Sequence, residues 1–382
     1  MGIIYNEKAK TFTLHTQNTT YQMQIDAYGF LLHLYYGRKT DGVMDYLLTY
    51  ADRGFSGNPQ DTGNDRTYSL DVLPQEFPCR LTGDFRSPVL DLVNADGSFG
   101  CDLRYQGYEI CDGKYNLKGL PAVYAAEEEA QTLIIYMKDQ VTGLQVELLY
   151  GVLPEYDVIT RSAKVVNTEE DKIRLTKAQA ACIDLLHGEF DVISFYGRHA
   201  MERNMQRTSV GHGAFVIGSR RGTSSHQYNP MLILAEKETT EDAGTCYGMS
   251  FVYSGGFKAE VEKDQFGQTR MQMGLQEEQF SYPLKKGEEF VIPEVILTCS
   301  NQGLEKLSQN LQRCIRKNLC RGKYKEKVRP VLINSWEACY FDFTGEDIYH
   351  LAEQAKDLGI DMVVLDDGWF GSRNDDNSGL GD

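Results

Sequence analysis

The sequence has no apolar run long enough to cross a bilayer. Its start, Met1-Gly2-Ile3-Ile4-Tyr5-Asn6, lacks the basic residues and apolar core of a signal peptide, and Asn6 breaks a myristoylation pattern. Export and membrane anchoring are set aside, and a cytoplasmic location is expected. The nine cysteines (Cys79, Cys101, Cys111, Cys182, Cys246, Cys299, Cys314, Cys320 and Cys339) include no CxxC pair, and the seven histidines add no zinc spacing. Buried, reduced thiols are expected, with no metal and no cofactor. Basic residues are also in deficit. Lys and Arg number 39 against 55 Asp and Glu, a net charge of −16. Nucleic acid and anionic membrane surfaces are therefore poor partners, while a neutral ligand such as a sugar fits. Low-complexity tracts and internal repeats are absent too.

What is present is alternation. From residue 3 to about 300 the dominant period is two, as in Thr11-Phe12-Thr13-Leu14-His15 and Tyr21-Gln22-Met23-Gln24-Ile25. Thr132 to Met137 and Leu144 to Tyr150 flank a turn at Lys138 to Gly143 and read as a hairpin. Phe190 to Phe195, Ala214 to Ile217, Met231 to Ala235, Met249 to Tyr253 and Phe290 to Thr298 are further strands, punctuated by Gly, Asn, Asp and Pro. Long helical patterns are nearly absent here. So many short strands predict a large antiparallel sandwich.

The pattern changes near Asn301. Leu304, Leu307, Leu311, Ile315 and Leu319 predict an amphipathic helix over 303–320. Arg321 to Arg329 is a basic linker. Pro330 to Asn334 and Met362 to Leu365, apolar without alternation, predict two buried strands. Between them, Thr344 and Asp347 resemble a capping box. Ile348, Leu351, Ala352, Ala355 and Leu358 form a stripe, and Gly359 stands where a C-cap belongs. Strand, helix and strand make a βαβ unit, which cannot stand as a domain by itself. The chain then ends in the polar run Asn374 to Asp382, so a truncated larger barrel is expected. The expected organisation is a β domain over 1–300, a helix and connector over 301–327, and the first βαβ of a barrel over 328–382.

Chemistry concentrates after these last two strands. In LDDGWFG (365–371), Asp366 and Asp367 follow a strand directly. In a (β/α)8 barrel that end carries the active site. Adjacent carboxylates repel one another and persist where a ligand or cation supplies donors. An Asx turn, a helix N-cap or a magnesium site are alternative uses, though no further carboxylate is spaced to complete a magnesium site. NSWEA (334–338) ends the preceding strand. Its Trp336, and Trp369 of LDDGWFG, are the sole tryptophans, and an indole offers a flat apolar face plus one N–H donor. Plain core packing is the alternative for each.

NSWEA followed by LDDGWFG resembles the first two barrel strands of family 36 glycoside hydrolases, the bacterial α-galactosidases. Upstream, ADRGFSGNP (51–59), YGRHAMERN (196–204), RGTSSHQYNP (221–230) and FVYSG (251–255) are similar to further segments of that family, in order. The resemblance implies a mainly β chain: an N-terminal β-supersandwich, then the start of a truncated (β/α)8 TIM barrel. It implies a retaining α-galactosidase, acting on α-galactosides such as melibiose and raffinose. It implies a homotetramer. Asp366 and Asp367 would bind galactose hydroxyls, with Trp336 lining the same subsite. Asp52 and Arg66 would reach a neighbouring subunit's site, unless they form only a surface ion pair. His199 stands where many relatives have tryptophan, which weakens that loop's sugar contact.

Retaining hydrolysis needs a nucleophile and an acid/base carboxylate about 5 Å apart. The family places its nucleophile in a KWD-type motif on a later strand, and this sequence contains no KWD. Glu337 and Asp342 have no family precedent as nucleophiles. No catalytic residue is therefore expected among the 382. A non-catalytic galactoside-binding or oligomerisation module, or an inactive gene fragment, competes with the enzyme reading.

Overall fold

The computed structural model describes residues 2–53, 57–168 and 172–380. Gly54, Phe55 and Ser56 of ADRGFSGNP, Met1, and Gly381 and Asp382 of the terminal polar run lie outside the described residues. The chain divides into two compact units, Met1–Leu319 and Cys320–Asp382.

The first unit is built from three antiparallel sheets. Ile3–Asn6, Thr11–His15, Thr19–Ile25 and Leu31–Arg38 form a four-stranded meander. A nine-stranded sheet runs in space from Met201–Ser209 through Phe190–Arg198, Tyr228–Glu236, Cys246–Phe251, Glu289–Ser300, Val158–Val166, Gln145–Leu153 and Gln131–Asp139 to Leu103–Asp112. A six-stranded sheet centres on Ile173–Leu185, which pairs with Thr269–Leu275, Tyr282–Leu284 and Leu90–Val93. One core joins all three: Phe12 and Tyr21 from the first, Val146, Leu148, Met249 and Leu297 from the second, Ile183, Val261, Met271 and Met273 from the third. This is the expected supersandwich.

The hairpin at 131–153 illustrates how the sequence produces it. Leu133, Ile135 and Met137 alternate inward and are buried. Each contributes roughly 1.5–3 kcal/mol of apolar burial. Asp139 closes the turn, its Oδ1 accepting from the N–H groups of Val141 (2.8 Å) and Thr142 (2.7 Å). Gly143 then takes the left-handed φ of 73° that the return requires.

The helix expected over 303–320 is α-helical over Gly303–Cys314 and continues as a π turn over Ile315–Leu319. Leu307, Leu311 and Cys314 pack with Ile233, Cys246 and Ile296 of the nine-stranded sheet. Backbone and amide bonds between Asn318 and Tyr124 secure its end (2.8 and 2.9 Å). It thus sits with the first unit, although the sequence places it in a connector.

The second unit is the βαβ element. Leu332–Asn334 and Met362–Val364 pair in parallel, and Gly345–Asp357 is the helix between them. Thr344 and Asp347 form the reciprocal capping box. Gly359, at φ 74°, completes a Schellman stop: Ile360 N–H donates to the Ala355 carbonyl and Gly359 N–H to that of Lys356. The expectation of buried strands is corrected here. Leu332 is 52% exposed, Met362 44% and Leu365 42%. Of the helix stripe, Ala355 alone is buried and Leu358 is exposed. Two short strands, a single helical turn over Trp336–Cys339 and the Gly345–Asp357 helix bring too little apolar surface to enclose one another. The expectation of buried thiols holds for six cysteines; Cys111 and Cys320 are exposed and Cys339 is half-buried, none of the nine being in a disulfide.

Candidate functional site

The parallel pairing of Asn334 with Val364 puts the ends of both strands at one level. Ser335 N–H extends the ladder to the Val364 carbonyl (3.0 Å), and Ser335 Oγ accepts from Asp366 N–H (3.1 Å). Asn334 then works in both directions. Its amide nitrogen donates to Asp366 Oδ2 (2.6 Å), and its amide oxygen accepts from Trp336 N–H (2.8 Å). Asp366 and Trp336, which follow different strands, are tied together by one side chain.

Asp366 Oδ1 accepts from Asp367 N–H, and Asp367 Oδ1 from Gly368 N–H, both at 2.8 Å. Gly368 has φ 87°, and a Cβ there would stand 2.9 Å from the Phe341 ring. Only glycine allows this turn without strain. The Asp367 carboxylate meets the Arg373 guanidinium in a bidentate pair, Nε to Oδ1 at 2.5 Å and Nη2 to Oδ2 at 2.6 Å. The hydrogen bond and charge of Arg373 hold the Asp367 carboxyl below the usual carboxylate range, and Arg373 is raised in return. Adjacent in sequence, the two carboxylates turn to different partners and remain half-buried rather than enclosed.

Trp336 is half-buried, its ring meeting Tyr340 and Phe341 edge-on at 5.3 and 4.9 Å. Trp369 is 63% exposed and touches Phe370. Glu337, exposed, accepts from the Tyr340 hydroxyl (3.2 Å), and Asp342 is exposed. Asp366, Asp367 and Trp336 are thus brought together.

The remaining candidates belong to the first unit. Asp52 and Arg66 pair with each other at 3.0 Å, and both are exposed. His199 is exposed in the turn between Phe190–Arg198 and Met201–Ser209. Three of the quoted motifs converge near that turn. Tyr196 faces Tyr228 across the sheet, Gly197 N–H donates to the Gln227 carbonyl (3.2 Å), and Ser224 N–H to that of Ser254 (2.7 Å). No group of three or more His, Cys, Asp or Glu among the described residues is placed to hold a metal ion. No helix among them is long and apolar enough to cross a membrane.

Residues 29–285 match the family described as Glycosyl hydrolase family 36 N-terminal domain, and residues 289–382 match Melibiase. The chain belongs to glycosyl hydrolase family 36. It is 63% identical over its whole length to a bifunctional alpha-galactosidase/sucrose kinase of Mediterraneibacter gnavus, covering 41% of that protein. It is 43% identical to an alpha-galactosidase of Lactobacillus acidophilus, covering all of this chain and 52% of that one. The solved galactosidase domain of the alpha-galactosidase–sucrose kinase superposes with a TM-score of 0.96, over 100% of this chain and 53% of that one. A variant alpha-galactosidase of Geobacillus stearothermophilus solved with raffinose gives 0.94 at 42% identity, over 98% of this chain and 52% of that one. This family 36 chain thus spans about half the length of the relatives it matches.

Two residues that hold the acidic pair go unremarked when the sequence alone is read. Asn334 appears there only as the end of a strand and a letter of NSWEA, and Arg373 lies next to the polar tail. The available signal for Arg373 is a single cation six residues after an acidic pair, which pattern alone cannot connect to either carboxylate.

Proposed function

We propose that this chain contributes the galactose-gripping part of a retaining α-galactosidase that releases terminal α-D-galactose from α-galactosides such as melibiose and raffinose. The observation that carries the reading is the Asp366–Asp367 pair at the end of a parallel strand, with Trp336 held beside it through Asn334. Two carboxylates accept hydrogen bonds from the axial O4 and the O6 hydroxyls, while the indole packs against the sugar's C–H face. A sugar with equatorial O4 leaves an acceptor unpaired, at a cost of roughly 1–3 kcal/mol. Family membership and the galactosidase names of the relatives support the same reading.

Neither carboxylate suits the nucleophile. Asp367 is engaged by Arg373 and Asp366 by Asn334, and consecutive residues cannot straddle one anomeric carbon while gripping O4 and O6. Residues 1–382 alone therefore bind galactose weakly and do not hydrolyse. The 328–382 segment begins a (β/α)8 barrel whose remaining walls would exclude water from the sugar. The full-length enzyme is a cytoplasmic homotetramer, in which Asp52 and Arg66 approach a neighbouring subunit's sugar site. Cysteines outside any disulfide throughout the chain support a reducing compartment.

The test is hydrolysis of a nitrophenyl α-D-galactoside by purified residues 1–382 and by the full-length enzyme. Turnover is expected from the second alone. Comparable rates from both would place the nucleophile within these 382 residues and overturn the mechanism.

A further inference from the structure

Resting on that reading of the acidic pair, we infer that Arg373 is a positioning residue for sugar recognition: it clamps Asp367 so that one carboxylate lone pair faces the ligand, and itself touches no sugar atom. The donor inventory carries the argument. A guanidinium has five N–H donors. In Arg373, Nε and one Nη2 hydrogen go to the two oxygens of Asp367. The other Nη2 hydrogen goes to Asp376 Oδ1 (3.4 Å). Nη1 donates to the carbonyls of Asp375 (2.8 Å) and Ser378 (2.6 Å). All five are assigned, and the side chain is only 3% exposed. A donor for a substrate hydroxyl does not remain.

The acceptor inventory is complementary. Each carboxylate oxygen accepts about two hydrogen bonds. Asp367 Oδ1 already takes two, from Gly368 N–H and Arg373 Nε, whereas Oδ2 takes one, from Arg373 Nη2. A single acceptor direction on Oδ2 stays open, on a side chain 24% exposed. Asp366 keeps one open direction on each oxygen, having accepted from Asp367 N–H and Asn334. The planar guanidinium fixes the rotation of the Asp367 carboxylate as a point cation cannot, and thereby aims its one free lone pair. The polar run after LDDGWFG is accordingly a brace: its carbonyls at 375 and 378 hold Arg373, and Arg373 holds Asp367.

The experiment uses the full-length enzyme with Arg373→Gln, Arg373→Lys, Asp366→Asn, Asp367→Asn and the double variant Asp367→Asn/Arg373→Gln. It measures kcat/KM on a nitrophenyl α-D-galactoside across pH, with unfolding temperature recorded for each. Arg373→Gln should lower kcat/KM by about tenfold to a hundredfold. It should also move the acid limb to higher pH, because the carboxylate loses its cation while Asp366, Asp375 and Asp376 remain nearby. Arg373→Lys, which keeps charge but not the fork, should fall by about threefold or more at an unchanged unfolding temperature. On the Asp367→Asn background, Arg373→Gln should add little, since its target is gone. If Asp366→Asn or Asp367→Asn is impaired while both Arg373 variants match wild type in kcat/KM and acid limb, the positioning role is overturned and the sugar site stands. Arg373→Gln costing as much on the Asp367→Asn background as alone would also overturn it, since Arg373 then acts through the fold. Should Arg373→Gln not fold, unchanged kcat/KM for Arg373→Lys overturns it. If both aspartate variants are silent, the galactose reading falls, and this inference with it.

Discussion

Two sets of carboxylates, each paired with arginine, occupy the two units, and they differ in how much of their hydrogen-bonding capacity is spent. In the sandwich core, Glu76 is fully buried. Its oxygens accept from Tyr21 (2.7 and 2.8 Å), Tyr150 (2.8 Å) and His33 Nδ1 (3.1 Å), and pair with Arg161 at 2.5 Å. Nearby in kind, Asp184 takes two bonds from Arg270, both 2.7 Å, one from Gln75 N–H (2.9 Å) and a longer one from the Cys182 thiol (3.7 Å). No acceptor and no water access is left for a ligand, so these groups hold the sheets together. Asp366 and Asp367 have the same chemistry but spare lone pairs and partial exposure. Paired acid and arginine thus indicates a ligand site only where acceptors remain unspent.

That contrast can be broken most severely in the core. Arg161→Leu leaves Glu76 buried without its cation, which typically costs about 3–5 kcal/mol. Urea unfolding should show a midpoint far below wild type, and an unchanged midpoint would mean the core pair is dispensable. The pH dependence of the same region comes next. Burial alone would raise Asp184, yet Arg270 and Arg86 hold it well below the ordinary carboxylate range. A depressed folded value contributes stability that is fully present above the unfolded carboxylate value, about 3.9, and is lost as pH falls through the folded value. Unfolding midpoints should therefore drop below about pH 4, and Asp184→Asn should flatten that drop. An equally steep drop in the variant would assign it to other acids.

In the second unit the expected effects on stability shrink. Gly368→Ala forces a left-handed φ on a residue with a Cβ, about 1–2 kcal/mol, and presses on Phe341. Thermal unfolding should shift down and galactoside turnover in the full-length enzyme should fall, because Gly368 N–H orients Asp367. Both unchanged would show the turn to be tolerant. The smallest stability effect, in a surface loop of the first unit, belongs to Asp52→Ala, since an exposed pair with Arg66 is worth roughly 0–1 kcal/mol. Turnover should weaken while the unfolding temperature holds. Full activity would reduce Asp52 to a surface ion pair.

The two regions also differ in how far they can be read from sequence. The hairpin over 131–153 is legible because alternation, a turn and a left-handed glycine agree. The capping box and Schellman stop of the Gly345–Asp357 helix are legible for the same reason. Ile173–Leu185 is not, because Lys177, Ala178, Gln179, Ala180 and Ala181 are good helix formers held extended by strands on both sides. Met201–Ser209 is polar and exposed on both faces, so period two is invisible in it. Glu76, between Gln75 and Phe77, has the composition of a surface turn; its burial appears only when Arg161 and Tyr150 arrive from distant strands. At the candidate site, Asp366, Asp367 and Trp336 are conspicuous by type and position. Asn334 and Arg373 are not, since their roles depend on which atoms a turn brings within about 3 Å.

The proposed sugar recognition rests on unspent acceptors in the acidic pair. Its most direct test is kcat/KM of the full-length enzyme with Asp366→Asn and, separately, Asp367→Asn. Each change replaces a charge-assisted acceptor with a weaker neutral one or with a donor, so a loss of at least about tenfold is expected for both, with the unfolding temperature nearly unchanged. Wild-type kcat/KM in both variants would contradict the account and leave the pair as a structural turn.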